Sequence, residues 1–491
     1  MRPFYIYLAI GVWTVIGVII AGFARRRLGK GIIEFYIGGR RTGGFVSAMT
    51  YAATTFSAFM MVGLVGLVYS GGVAAAGFEF VYILSTVVLL LIFGPRFWVA
   101  GQKYGYSTPP ELLSGRYDSQ KVGAVAAGLA LVMLIPYASA QLMGIGFLVE
   151  GLTGGEIPYI AGVLIMAAFG GVAALTAGFK SVAWTDAFQG ITMLVTCLVL
   201  LFFVFYHFYG GPIEFFTAIE AESSELLRIN WSIHRFIGMT LPWAFFAISN
   251  PQVSQRMFVS ENIRSIKIMI VGFSLFALVY TVMTTLFGFS IFNLVESGII
   301  PAFASADEAM PSLLGHVPTV LGLVTFTGIF AAATSTLGSV ILTLSSLGTE
   351  DILKSVKPEM SESRRVNIGR GIIVIILLIC ILFAQGRFDL IAVLSAMASG
   401  GLLVAVPSFF AAFWWRESTA EGSMWSILIA GALTGALYVS GWNPLGVWPP
   451  VWGLITSTVL LIVISKMTET PERAKKFIRT VDEEMEKNGF K

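Results

Sequence analysis

An all-α polytopic membrane protein is predicted from three observations. Of 491 residues, 56% are hydrophobic and 12% charged, about half the charge of a soluble domain. Mean hydropathy is +0.83. The apolar residues gather into about thirteen runs long enough to cross a ~30 Å hydrocarbon layer as helices, with the basic residues collected on one side.

The spans run roughly 4–24, 44–72, 74–98, 122–150, 157–178, 181–208, 236–256, 268–296, 318–347, 369–385, 388–414, 423–440 and 449–466. The first is longer than a signal-peptide core and is followed at once by Arg25, Arg26 and Arg27, with only Arg2 before it. It therefore reads as a transmembrane helix with the N-terminus outside. Thirteen crossings put the C-terminus in the cytoplasm. That alternation leaves 27 of the 31 Lys and Arg inside and only Arg2, Arg228, Arg235 and Arg387 outside, as the positive-inside rule requires.

Span 44–72 carries Tyr51-Ala-Ala-Thr-Thr-Phe-Ser-Ala58 at bilayer depth, with glycines at 63, 66, 71 and 72. Weak helix formers there predict a break. A break frees backbone carbonyls, which is tolerated where they line a cavity or bind something. Span 74–98 holds Glu79, placed near the outer end, where it could reach water. Span 122–150 carries Pro136-Tyr-Ala-Ser-Ala-Gln141 at mid-depth. Span 181–208 opens on Trp184-Thr-Asp-Ala-Phe-Gln189, with Asp186 an intramembrane carboxylate about 8 Å from the cytoplasmic end. The outer loop 209–235 is acidic, with Glu214, Glu220, Glu222 and Glu225 on a solvated amphipathic face.

Span 236–256 is a second candidate for a broken helix, because Pro242 and Pro251 each remove a backbone donor. In span 318–347, Ala332, Ser335, Thr336 and Ser339 fall at i, i+3, i+4 and i+7 and share a face. Such a face admits a close neighbour, or its oxygens replace the hydration shell of a hard cation such as sodium. The plainer reading is hydroxyls bonded back to their own helix. Ser399-Gly-Gly401 and Pro407 permit bending of span 388–414, as a gate, or close packing. The charged amphipathic tail lies at the cytoplasmic surface.

Enzymatic chemistry is not indicated. There is no HExxH, no GxSxG and no His or Cys cluster. Cys197 and Cys380 sit in apolar runs, and His207, His234 and His316 have no metal-ligand spacing.

Several segments carry a resemblance. They are Ala332-x-x-Ser-Thr-x-x-Ser339 followed by Ser345-Ser-x-x-Thr-Glu-Asp351, then Gly38-Gly-Arg40, Thr108-x-Pro-Glu-x-x-x-x-Arg-Tyr117, Trp184-Thr-Asp-x-x-Gln189 and Pro251-Gln-x-x-x-Arg256. Together they resemble the sodium:solute symporter family, which includes proline, pantothenate and sugar symporters. The resemblance implies a five-plus-five inverted-repeat (LeuT-like) core with extra helices at both ends. Residues 1–43 would be an extra helix and cytoplasmic loop, 44–208 the first repeat and 209–235 an outer loop. Residues 236–414 would be the second repeat, 415–466 two further helices and 467–491 a cytoplasmic tail.

It also implies site residues. Ala53, Phe56, Ala332, Ser335 and Thr336 would hold sodium, the coupling ion. Thr55, Ser57, Phe59, Tyr137 and Trp243 would face the substrate. Asp186 and Ser339 would form a second cation site or a release path. Two departures matter. Gly338 offers no hydroxyl where relatives with a second sodium have one. Thr55 and Phe59 replace an acidic residue and a Trp of proline transporters.

The implied function is import of a small organic solute with sodium, by alternating access. Proline or a similar amino acid, pantothenate or a monocarboxylate would fit. The partners are that solute and the lipid bilayer, with no nucleic acid and no obligate protein partner. The expected place is the plasma membrane. Two alternatives stay open: a proton-coupled carrier using Asp186, or a solute sensor working through a separate partner.

Overall fold

The computed structural model describes residues 1–25, 31–387 and 391–490. Arg26 and Arg27 of the basic run, and the first three residues of span 388–414, lie outside that set. Among the described residues there is no strand, and ten helices are long and apolar enough to cross a membrane. Helices are the expected solution, because a bilayer leaves backbone N–H and C=O groups no other partners.

The chain opens with α1 (Pro3–Arg25), the short α2 (Ile32–Ile37) and α3 (Gly44–Thr55). A π-helical turn, Phe59–Leu64, then leads into α4 (Val65–Tyr104). The loop helix α5 (Pro109–Tyr117) begins at Thr108, whose hydroxyl accepts the Glu111 N–H, with prolines in the first turn where no N–H is needed. Next come α6 (Gln120–Thr153) and α7 (Tyr159–Val204). A 46-residue helix such as α7 would measure about 69 Å if straight, more than twice a bilayer core. It turns a corner at Gly178 (φ +57°), between the two spans read from sequence. Likewise α4 breaks at Gly72 (φ +53°, ψ −137°), between spans 44–72 and 74–98.

The outer α8 (Pro212–Glu222) precedes a twice-interrupted segment: α9 (Ile233–Ala244), α10 (Phe246–Ser249) and α11 (Pro251–Ser254). After it run α12 (Ile263–Glu296), α13 (Ala309–Gly315), α14 (Thr319–Ser346), α15 (Lys354–Val356) and α16 (Glu362–Gln385). Then follow α17 (Ile391–Leu402), α18 (Val406–Trp414), α19 (Ala420–Ser440), α20 (Pro449–Met467) and α21 (Glu472–Lys487).

The centre is α3 and α14, whose side chains are almost all buried. Around them α4, α6, α7 and α12 present one face inward and Leu, Val and Phe outward, as lipid requires. Small residues set the closest approaches. A Cβ on Gly288 of α12 would lie 2.5 Å from that of Val68. A side chain on Gly400 would strike Pro450, and one on Gly401 would strike Met133. That glycine pair is therefore packed closely in this conformation, although Leu403–Ala405 does interrupt the helix beside it.

The tail folds back. Phe477, Ile478, Val481 and Met485 of α21 are buried against the protein, with Phe477 stacked on Tyr104 at 5.3 Å. Lys103 pairs with Glu484 at 3.0 Å. The apolar face of the tail thus covers protein at the inner ends of α4 and α18.

Only glycine adopts the Gly72 backbone without strain, and a Cβ there would fall on the Leu226 carbonyl. Gly72→Ala is expected to cost about 2 kcal/mol or more, read as a lower unfolding temperature of the purified protein. Gly435→Ala on α19, where a Cβ meets nothing within 4 Å, should leave that temperature unchanged or slightly higher.

Candidate functional site

The site begins where α3 stops. Thr54 and Thr55 are weak helix formers, and Phe56 leaves the helix with φ −96°, ψ 112°. The groups this frees find partners. Ala58 N–H donates to Gln141 Oε1 on α6 at 3.1 Å, Phe59 N–H to Ser57 Oγ at 3.1 Å, and Met60 N–H to the Ser57 carbonyl at 3.0 Å. On the other side of the break, the last carbonyls of α3 face α14. Ser335 Oγ donates to the Ala53 carbonyl at 2.7 Å and lies 3.0 Å from that of Ala332. Thr336 Oγ1 approaches the Ala53 carbonyl at 3.1 Å and that of Thr54 at 3.5 Å.

Four of the five expected sodium oxygens, those of Ala53, Ala332, Ser335 and Thr336, therefore meet. The fifth residue, Phe56, is the residue of the break. All are neutral, hard oxygens, and that of Ala53 lies at the negative end of the α3 dipole, a donor set suited to a monovalent alkali cation. The expected hydroxyl face and the bond back to its own helix coexist in Ser335, which touches carbonyls of both helices.

One turn towards the start of α3 sits a polar group that includes Asp186 and Ser339, the residues expected as a second cation site or release path. Thr50 donates to Asp186 Oδ2 at 2.6 Å, so the carboxylate of α7 holds α3. Ser339 Oγ lies 3.1 Å from Thr54 Oγ1 and receives Arg256 Nη2 at 2.5 Å. Arg256 closes span 236–256 and is among the 27 basic residues expected on the inner side. It is wholly buried, with its guanidinium 4.9 Å from the Phe179 ring centre. The Pro251 to Arg256 motif was its one sequence signal. Asp186 Oδ1 has no partner among the described residues. It borders a cavity of about 250 Å³ between α1, α7 and α14, shared with Trp13, Gln189, Thr334, Ser335 and Gly338.

On the outer side of the break, aromatic rings converge. Phe59 stacks on Trp243 at 4.7 Å and Trp243 on Phe246 at 5.1 Å, while Tyr82 meets Trp243 edge-on at 5.0 Å. Tyr137 lies 6.2 Å from Phe246, with Ser57 beside its hydroxyl. Trp243 reaches this position because α9 ends at Phe245 (φ −103°, ψ 9°), and a second break follows at Asn250. Ser57, Phe59, Tyr137 and Trp243 are thus brought together. Thr55 is not part of this group, since its hydroxyl donates to the Tyr51 carbonyl of its own helix at 2.7 Å. Sequence reasoning missed Tyr82, Phe246 and Gln141, which lie in apolar or helical contexts that look like core.

The end that carries Thr108, Gln255 and Asp351 is closed by side chains. Thr108 donates to Asp351 at 2.8–2.9 Å, and Gln255 Nε2 donates to the Ser107 carbonyl at 3.0 Å while its Oε1 accepts from Thr343 at 2.8 Å. Lys354 and Arg365 reach Glu350 at 3.9 and 3.4 Å.

Comparisons with known proteins place the chain in a family. The sodium:solute symporter family model matches residues 35–431. A sodium/proline symporter of Staphylococcus aureus (strain JH9) is 25% identical, over 95% of this chain and 93% of that protein. A Na+-coupled sialic acid symporter, solved substrate-bound and outward-open, superposes with a TM-score of 0.80 at 16% identity, covering 94% of this chain and 98% of that one. MHP1, a nucleobase-cation-symport-1 family transporter in a closed conformation with bromovinylhydantoin bound, gives 0.57 at 13% identity, covering 91% and 98%. These structural likenesses establish a LeuT-like fold, and the family match over most of the length gives the conclusion: the chain belongs to the sodium:solute symporter family.

Proposed function

We propose that the protein imports one small organic solute together with one sodium ion across the plasma membrane, with its N-terminus outside and its C-terminus in the cytoplasm. The observation that carries this reading is the meeting of the broken end of α3 with the Ser335–Thr336 face of α14. A cation shared by these oxygens would tie the two helices together. It would then favour the conformation in which Ser57, Phe59, Tyr137 and Trp243 present a site to the outside, so that sodium raises solute affinity and solute raises sodium affinity by the same factor. Inward sodium flow supplies about 2.3 kcal/mol per 100 mV of membrane potential, besides the concentration gradient. Release requires the inner contacts of Gln255, Asp351 and Glu350 to part.

Two features of the inner group support a stoichiometry of one sodium. Gly338 brings no oxygen to the cavity beside Asp186, and the Ser339 hydroxyl already accepts from Arg256, whose positive charge repels a cation placed there. One observation favours a proton as the coupling ion instead, namely the free Oδ1 of Asp186 at that cavity.

The deciding experiment is uptake into proteoliposomes under an inward sodium gradient, scanning labelled proline, pantothenate, acetate and a sugar. One solute should accumulate, and accumulation should collapse when choline replaces sodium. Uptake that ignores sodium and follows a pH gradient would transfer the coupling to Asp186. In the same assay the double variant Ser335→Ala/Thr336→Ala should raise the half-saturating sodium concentration about tenfold or more. An unchanged sodium dependence would remove the assignment. A Cβ at Gly338 meets nothing within 4 Å, so Gly338→Ser should fold and add an oxygen beside Asp186. The Hill coefficient for sodium is expected to rise above one.

A further inference from the structure

The tail helix α21 has two unlike faces. Ala474, Phe477, Ile478, Val481 and Met485 fall at i, i+3, i+4, i+7 and i+11, form one stripe and are all buried. The opposite face is charged, with Lys476 exposed and Arg479 paired to Glu483 at 2.8 Å one turn on. A helix of this kind has a second resting place, the surface of a bilayer. Here its stripe lies on protein.

The seat has two halves. Phe477 lies between Tyr104 at the end of α4 (5.3 Å) and Phe413 of α18 (6.0 Å). On the α4 side, Glu484 pairs with Lys103 at 3.0 Å, and Phe490 beyond the helix meets Trp98 edge-on at 6.1 Å. On the other side α21 touches α5 as well as α18. Those two helices are tied into one unit. Arg116 donates to the Ala412 and Trp415 carbonyls at 3.0 and 2.9 Å, where the end of α18 leaves acceptors free, and Tyr117 donates to the Ser408 carbonyl at 3.0 Å.

The same unit carries the closing contacts. Ser107 and Thr108, the two residues just before α5, are the ones held by Gln255 and Asp351. The helix across the seam, α4, continues from the broken end of α3 through the π-helical turn. α21 therefore bridges the closing unit and the helix that follows the break. Its hold is one stripe deep. A cavity of about 660 Å³ runs beside the Lys103–Glu484 pair, between α4, the start of α12 and Asn488, and only residues 468–471 connect α21 to α20. The helix can leave this seat without unfolding anything else.

We propose that α21 is a strap: docked across α4 and the α5–α18 unit, it holds closed the end of the molecule that carries Thr108, Gln255 and Asp351, and opening there requires it to leave one half of its seat. The tail thereby restrains the protein that bears it. This adds a regulation to the symport reading and rests on that reading only for what the opening releases. The Ser335–Thr336 face takes no part in the strap, so the two can fail separately.

The test reads opening directly, in the full-length protein in lipid nanodiscs. Ser346 is wholly buried at the closed end, 3.3 Å from Gln255, and Ser346→Cys supplies a thiol there. Cys197 and Cys380 are buried, and the parent without the added thiol gives the background. The rate of alkylation by a small maleimide is measured in choline. Phe477→Asp, which puts a charge into the apolar seat, should raise that rate about tenfold or more. Tyr104→Ala, which empties the seat from the α4 side, should raise it in the same direction, and Tyr104→Ala with Phe477→Ala should do no more than either alone. Trypsin should cut after Lys476 and Arg479 faster in the same variants, while the unfolding temperature stays near that of the parent. Unchanged alkylation in Phe477→Asp and Tyr104→Ala would overturn the proposal. So would a rise that follows a lowered unfolding temperature instead of tryptic release. Repeating the series in sodium separates the two readings. A tail effect without any sodium effect keeps the strap and removes sodium coupling, and slower alkylation in sodium without a tail effect does the reverse.

Discussion

The structure depends on one carbonyl. The Ala53 C=O belongs to the last turn of α3, where the helix has stopped supplying donors, and it is answered by two hydroxyls of α14. An unpaired carbonyl at this depth would be costly. The break is therefore stable only while α14 lies alongside, and α14 lies alongside because Ala332 and its small neighbours allow contact. The same geometry that satisfies the backbone leaves oxygens from two helices pointing at one place. On the proposed reading, a cation bound there would use the contact that docks the helices, and so would bias how they sit.

Around this centre, polar groups follow one another in layers. Beyond the break are aromatic rings and the Glu79 carboxyl. Next come neutral oxygens, then Asp186 and the Arg256 guanidinium near Ser339, and at the far end the hydrogen bonds and ion pairs of Thr108, Gln255, Glu350 and Asp351.

Much of this was legible in the chain. The break in span 44–72 was visible as Ala-Ala-Thr-Thr-Phe-Ser, a patch with too little helix propensity and too much polarity for its depth. The pair Pro242 and Pro251 marked the second interruption. The i, i+3, i+4, i+7 spacing put Ser335, Thr336 and Ser339 on one face whatever the tertiary structure. Even the corners at Gly72 and Gly178 were foreshadowed, as boundaries between apolar runs too long to be single crossings. Thr55 shows the limit of such reading. It lies on the same polar patch as Ser57, but one helical turn lets it bond to Tyr51, and only the backbone beyond the break leaves Ser57 near Tyr137.

The sequence alone determined that the chain carries many membrane-length apolar helices, where two of them must break, and which one carries hydroxyls. These properties follow from composition and local periodicity, which act over a few turns. Tertiary structure decided which polar groups meet. It drew Arg256 from the edge of a span into the core beside Ser339, put Glu79 in an aromatic setting instead of at the surface, and laid the apolar face of α21 on protein. Those outcomes depend on helices distant in sequence closing over a residue and excluding water from it. Burial of that kind is set by the fold as a whole, and no window of neighbouring residues contains it.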